Sequence, residues 1–230
     1  MWKNLLELFV PNHCIGCAKT LFCGERVLCM SCYHDLDFIP TNEQAVHELI
    51  QHQLYGKIAL KKACGLLYYD KDKGITQKLV KSLKYRGRED IGDFLAELSW
   101  EKFKNTSLFD EVDFICCVPL HRRKAKKRGY NQLHRYGKKI SELSGIPFQM
   151  DLLKRNIHDE SQTTKNLLNR SIAKKDKFSF RPNLVDANAN LLVIDDVITT
   201  GSTMEQIMKA IRQHHLGELS VLCMASTYHT

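Results

Sequence analysis

The apolar positions of this chain fall into two kinds of run. Short continuous blocks at 63–69, 114–118 and 191–194 have the length and composition of strands buried on both faces. Between them, apolar residues recur at helical spacing. Ile75, Leu79, Val80 and Leu83 predict a helix ended by Tyr85-Arg86-Gly87, and residues 90–103 read as a second. Residues 131–143 continue as a third, with Leu133, Ile140 and Leu143 inward, and Met204, Ile207, Met208 and Ile211 mark a fourth. Strands alternating with helices predict an α/β domain with a parallel sheet, in which 114–118 is a central strand.

The flanks read differently. Residues 2–10 suggest a short amphipathic helix, too short and too broken by Glu7 for a signal peptide. Residues 41–62 are polar, with Val46, Leu49 and Ile50 in helical stretches, and read as a linker. The expected organisation is a small module at 1–40, a linker at 41–62 and the α/β domain at 63–230.

Five of the nine cysteines lie within residues 14–32. Cys14-Ile-Gly-Cys17 and Cys29-Met-Ser-Cys32 are two C-x2-C pairs, and two such pairs complete a tetrahedral thiolate site for zinc. A module this small cannot bury a core of its own, so the metal would supply its folding energy. Cys23, His13 and His34 stand near enough in sequence to be alternative ligands. Cys64, Cys116, Cys117 and Cys223 sit in apolar runs, as small core residues do.

The stretch 190–204 carries the clearest chemistry. An apolar strand delivers two carboxylates, Asp195 and Asp196, then Thr199-Thr200-Gly201-Ser202-Thr203, then a helix. The first N–H groups of a helix lack intrahelical partners and its dipole is positive there, so this loop suits a phosphate. Two acidic groups would repel that phosphate, but they accept hydrogen bonds from sugar hydroxyls or from waters held by magnesium. A ribose 5-phosphate satisfies both halves. No Gly-Lys-Ser/Thr is present, so this is not a Walker A loop.

Composition adds a sign to the picture. The 230 residues carry a formal net charge of +8, which favours anionic partners. Nine Lys and Arg fall between Arg122 and Lys139, directly after the 114–118 run. Arg122 and Arg123 suit bidentate contacts to a diphosphate, while Lys124, Lys126, Lys127, Arg128 and Tyr130 interleave charge with a ring, as single-stranded nucleic-acid surfaces do. His134 and Tyr136 lie in the same run. Residues 154–177, polar and basic, are a candidate lid. No apolar run approaches the roughly 20 residues of a membrane helix, and reduced thiols fit a cytoplasmic protein.

Taken together, the chain resembles the ComF family of competence-associated proteins. The resemblance rests on the paired C-x2-C, Ser82-Leu-Lys-Tyr-Arg-Gly87, Val118-Pro-Leu-His-Arg-Arg123, Lys127-Arg-Gly-Tyr-Asn-Gln132, Gln162 with Arg170, and the Asp195–Thr203 signature. It implies a zinc-ribbon-like module joined to a type I phosphoribosyltransferase fold, a parallel sheet flanked by helices, with a role in DNA uptake and natural transformation. The ligand it implies is phosphoribosyl pyrophosphate (PRPP) with Mg²⁺. Asp195 and Asp196 would meet the ribose hydroxyls, Thr199, Thr200, Gly201, Ser202 and Thr203 the 5-phosphate, and Arg122, Arg123 and Mg²⁺ the leaving pyrophosphate. Thr199 stands where oxopurine-salvage relatives carry an acidic base, which argues against hypoxanthine or guanine as acceptor. A non-catalytic protein binding single-stranded DNA through the same basic loops, and a metabolic nucleobase phosphoribosyltransferase, are the alternative readings.

Overall fold

The structure is a computed structural model that describes residues 12–40, 59–120, 129–156 and 177–227. The expected helices at 2–10 and near Val46, and the candidate lid with Gln162 and Arg170, lie outside the described residues.

Four parallel strands form the sheet: β1 (Lys62–Tyr69), β2 (Phe114–Cys117), β5 (Leu191–Ile198) and β6 (Leu219–Thr227), in the order β1-β6-β5-β2. Two short strands, β3 (Leu153–Arg155) and β4 (Phe178–Phe180), make a separate antiparallel ribbon. The helices are α1 (Met30–His34), α2 (Ile75–Tyr85), α3 (Asp90–Phe103), α4 (Gln132–Ser144) and α5 (Ser202–Arg212). Leu191 to Ile194 and all of β6 except its last residue are buried, as strands covered on both faces must be.

Three expectations about the strands change. The 114–118 run is a terminal strand of the sheet, not a central one. It stays apolar because its outer edge is closed by the 147–149 segment: the Ile115 N–H donates to the Pro147 carbonyl at 2.9 Å and the Gln149 N–H to the Ile115 carbonyl at 2.8 Å. The strand placed beside β5 on its other side is β6, whose apolar stretch from Val221 to Ala225 carries no motif. The second change is at the acid pair. β5 runs on to Ile198, so Asp195 and Asp196 lie within the strand and not after it. β1 likewise begins at Lys62, inside the stretch read as linker.

The cysteine module is not a free-standing unit. The Tyr68 N–H donates to the Asp37 carbonyl at 2.8 Å and the Ile39 N–H to the Leu66 carbonyl at 3.1 Å, so residues 37–39 run along β1. Val27, Leu28 and Leu36 join the same apolar cluster as the sheet. Among the described residues no helix is long and apolar enough to cross a membrane.

Helix α4 positions the site, and its sequence explains how. Asn131 caps it, the side-chain oxygen accepting from the Leu133 N–H at 3.1 Å, and Gly145 ends it in the left-handed region. Tyr136 is fully buried against α3, its hydroxyl 2.7 Å from Ser99 Oγ. One residue on, Gly137 lets the helix approach the sheet closely. A Cβ there would meet the Phe148 ring at 2.7 Å and Ile194 Cδ1 at 2.8 Å. Gly137→Ala is therefore expected to lower stability by about 1–3 kcal/mol, the ordinary cost of overpacking. Chemical denaturation checks it; an unchanged midpoint would show that α4 can lift away freely.

Candidate functional site

The N-terminal clip builds from two turns. Cys14 and Cys17 flank a tight turn closed by the Ala18 N–H to the Cys14 carbonyl at 2.9 Å. Cys29 is the N-cap of α1, and Cys32 lies in that helix. The four sulfurs lie within 4.8 Å of one another, and Cys17 and Cys29 are 3.7 Å apart. Thiolates about 2.3 Å from a tetrahedral zinc stand roughly 3.8 Å apart, so the spacing fits such an ion. Four cysteines so close can bind a metal such as zinc. Cys23, His13 and His34 are not part of this group.

Electrostatics agree with the geometry. Burial pushes the Cys14 thiol up, but N–H groups of Cys29, Cys17 and Gly16, with the Cys17 side chain, outweigh it and bring Cys14 down to about 6. Burial and then the neighbouring sulfurs of Cys14, Cys17 and Cys29 push Cys32 strongly the other way. Four adjacent thiols cannot all ionise without a cation among them. Gly16 leaves the necessary room, since a Cβ there would stand 2.6 Å from Cys32 Sγ.

The second site forms where β5 outruns β2. The last β5 partner of β2 is Ile194, and the Val118 N–H donates to the Ile194 carbonyl at 3.0 Å before the chain leaves the sheet. Crevices at such strand ends are where open α/β sheets bind ligands. Side chains alternate along the strand, so Asp195 and Asp196 point to opposite faces. Asp195 lines an open concavity together with Val197, Ile198, Thr199, Thr200, Gly201, Ser202, Thr203 and Met204. Gly201 has φ +70°, the left-handed conformation that turns the loop into α5, and Ser202 and Thr203 are exposed in that helix's first turn.

Asp196 is held from the other face. Its Oδ2 lies 2.9 Å from the Lys84 ammonium and accepts a hydrogen bond from Gln132 Nε2. Its N–H donates to Asp195 Oδ1 at 2.7 Å. Burial, and behind it the charge of Asp196, hold the Asp195 carboxyl well above the usual carboxylate range; the Asp196 N–H and Lys84 oppose this. Lys84 and Gln132 lie inside the Ser82–Gly87 and Lys127–Gln132 motifs, but no local signal in the sequence marks either as a partner of Asp196.

Arg122, Arg123, Lys124, Lys126, Lys127 and Arg128 lie outside the described residues. Tyr130 is half-buried and donates its hydroxyl to the Leu83 carbonyl, which ties the end of α2 to the start of α4. Tyr136 cannot stack on a base, because its ring is fully buried under α3. His134 is half-buried with its ring edge-on to Phe148, centroids 6.4 Å apart. Of the basic residues on α4, Arg135 is paired with Asp93 at 2.6 Å and Lys139 lies 3.5 Å from Glu142.

The class that emerges is an α/β fold, a parallel sheet flanked by helices, with a cysteine clip before its first strand. No protein-family model matches the chain. Its relatives agree with the ComF resemblance: competence protein F of Haemophilus influenzae is 26% identical, over 94% of this chain and 98% of its own length. The DNA utilization protein YhgH of Escherichia coli K12 is 26% identical over 65% of this chain and 66% of its own. Distant solved structures include a glutamine PRPP amidotransferase from B. subtilis, with TM-score 0.42 and 17% identity over 63% of this chain and 30% of that one. An adenine phosphoribosyltransferase from Leishmania tarentolae has TM-score 0.40 and 13% identity over 73% and 94%.

The clip makes a pH prediction. A thiol lowered to about 6 is ionised above that value and takes up a proton below it. Affinity for added Zn²⁺, measured against a chelator, should fall more steeply below about pH 6 than above it, because one more proton must then be displaced. Gly16→Ala should weaken the metal at every pH. An affinity independent of pH would contradict thiolate ligation.

Proposed function

We propose that this chain is a ComF-type protein acting in DNA uptake and natural transformation, that it carries one structural zinc, and that it binds PRPP with Mg²⁺ at the end of β5. The observation that carries the reading is the convergence, at one strand end, of a buried carboxyl and a hydroxyl-rich loop turned by Gly201 into the N-terminus of α5. First-turn N–H groups and the hydroxyls of Thr199, Thr200, Ser202 and Thr203 would hold the 5-phosphate. Asp195 and Asp196 would accept from the ribose hydroxyls. The names of the relatives support the biological setting, and a clip of reduced thiols fits a cytoplasmic place of action.

If the protein turns PRPP over, the bond from ribose C1 to the diphosphate oxygen breaks and one to an acceptor forms, through a sugar cation. The chain's own part is to fix both ends of the ligand and to meet the charge that develops. The chemistry Mg²⁺ would supply there is positive charge for the diphosphate leaving group. Arg122 and Arg123 would share that work.

Single-stranded DNA binding through residues 122–130 is the second reading, favoured by relatives named for competence and DNA utilization. The two are separable by experiment. Calorimetric titration with PRPP and Mg²⁺ should show binding that Asp195→Asn with Asp196→Asn weakens by tenfold or more, on the order expected for lost charge-assisted hydrogen bonds. Equal affinity in variant and parent would make the signature architectural only. Oligonucleotide affinity should fall steeply with salt. Replacing Lys124, Lys126 and Lys127 with Ala should flatten the log–log slope by roughly two units, about 0.7 for each phosphate that a lysine no longer neutralises. An unchanged slope would remove these lysines from any DNA surface.

A further inference from the structure

Among the described residues, Lys84 is the cation paired with a carboxylate of the site itself. Its ammonium and the Asp196 carboxylate form a largely shielded pair, with side chains 19% and 15% exposed. Other basic residues of the surrounding helices have partners elsewhere: Arg88 is bound to Asp90, Arg135 to Asp93. Lys84 is in the last turn of α2, where the hydroxyl of Tyr130 fixes the Leu83 carbonyl. The facing end of α4 is fixed in turn, by Asn131, which caps that helix and whose Nδ2 lies 3.5 Å from the Val118 carbonyl at the end of β2. The ammonium is thus held over the strand end, on the face opposite the Thr199–Thr203 loop.

A ligand anchored in the loop by a phosphate must cross the end of β5 to reach that face. We propose that Lys84 is the cation of a diphosphate subsite on the α2–α4 side of β5, held beside Gln132 by Asp196 until the ligand arrives. The inference rests on the PRPP reading above and adds to it the residue that receives the other end of the molecule. A diphosphate brought close to Asp195 and Asp196 would meet repulsion without such a charge. Lysine suits the task, because its ammonium is a compact charge on a flexible stem that can turn from carboxylate to phosphate while its helix stays in place. On transfer Asp196 keeps the Gln132 hydrogen bond and becomes available to a ribose hydroxyl.

The test compares PRPP with ribose 5-phosphate, which lacks the diphosphate, both with Mg²⁺ and the full-length protein. Lys84→Gln keeps a donor for Asp196 and loses the charge. It should weaken PRPP on the order of tenfold or more, with ribose 5-phosphate held within about twofold, and Lys84→Arg should recover most of the loss. If Lys84→Gln does not fold, Lys84→Met is read in the same way. Equal weakening of both ligands, or of neither, would overturn the subsite while leaving the PRPP reading in place. Failure of the parent to bind either ligand would overturn that reading and the subsite with it.

Discussion

Two adjacent carboxylates on a buried parallel strand are electrostatically costly, and much of the protein around β5 is arranged to meet that cost. Asp196 is met by an ammonium and a side-chain amide from two different helices. Among the described residues Asp195 has neither; it accepts the Asp196 N–H, and burial favours its neutral form. The strand's pleat divides the two, sending Asp195 toward the loop and α5 and Asp196 toward α2 and α4. Everything that fixes α2 and α4 to each other therefore also fixes the site. The Tyr130 hydroxyl on Leu83 joins the two, while the buried Ser99–Tyr136 bond holds α4 to α3 and the close approach at Gly137 holds α4 to the sheet.

The cysteine clip is tied to the same framework. Residues 37–39 extend along β1, and the Lys78 ammonium reaches the Gly16 carbonyl from α2, the helix that also carries Lys84. A metal in the clip would rigidify the turn against which α2 rests. A metal in the clip and a sugar phosphate at the proposed site would then share one helix, although they would lie at different places in the fold.

Much of this was legible in the sequence because the signals were local. The C-x2-C pairs, the helix boundaries at 75–85 and 90–103 and the run through Asp195–Thr203 each follow from spacing within a dozen residues. What escaped was set by distant partners. β6 has no motif, and only its pairing with β1 and β5 shows that it is the strand between them. The position of 114–118 at the sheet's end depends on Phe148 and Pro147, some thirty residues away. Tyr136 looked available for stacking because it lies among charges, whereas its helical phase turns it into the core beside Leu133 and Ile140. Lys84 and Gln132 sit in recognisable motifs, but nothing local says that both reach Asp196.

At the centre of the proposed function, one extended anionic sugar crosses the end of β5 from the loop to Lys84. A crystal structure of the protein with PRPP and Mg²⁺ measures this directly. The expected result is the 5-phosphate on the first-turn N–H groups of α5, the ribose hydroxyls against Asp195 and Asp196, and the diphosphate within hydrogen-bond reach of the Lys84 ammonium. PRPP bound elsewhere, or bound at the loop with the Lys84–Asp196 pair intact and its diphosphate directed away from α2, would contradict it.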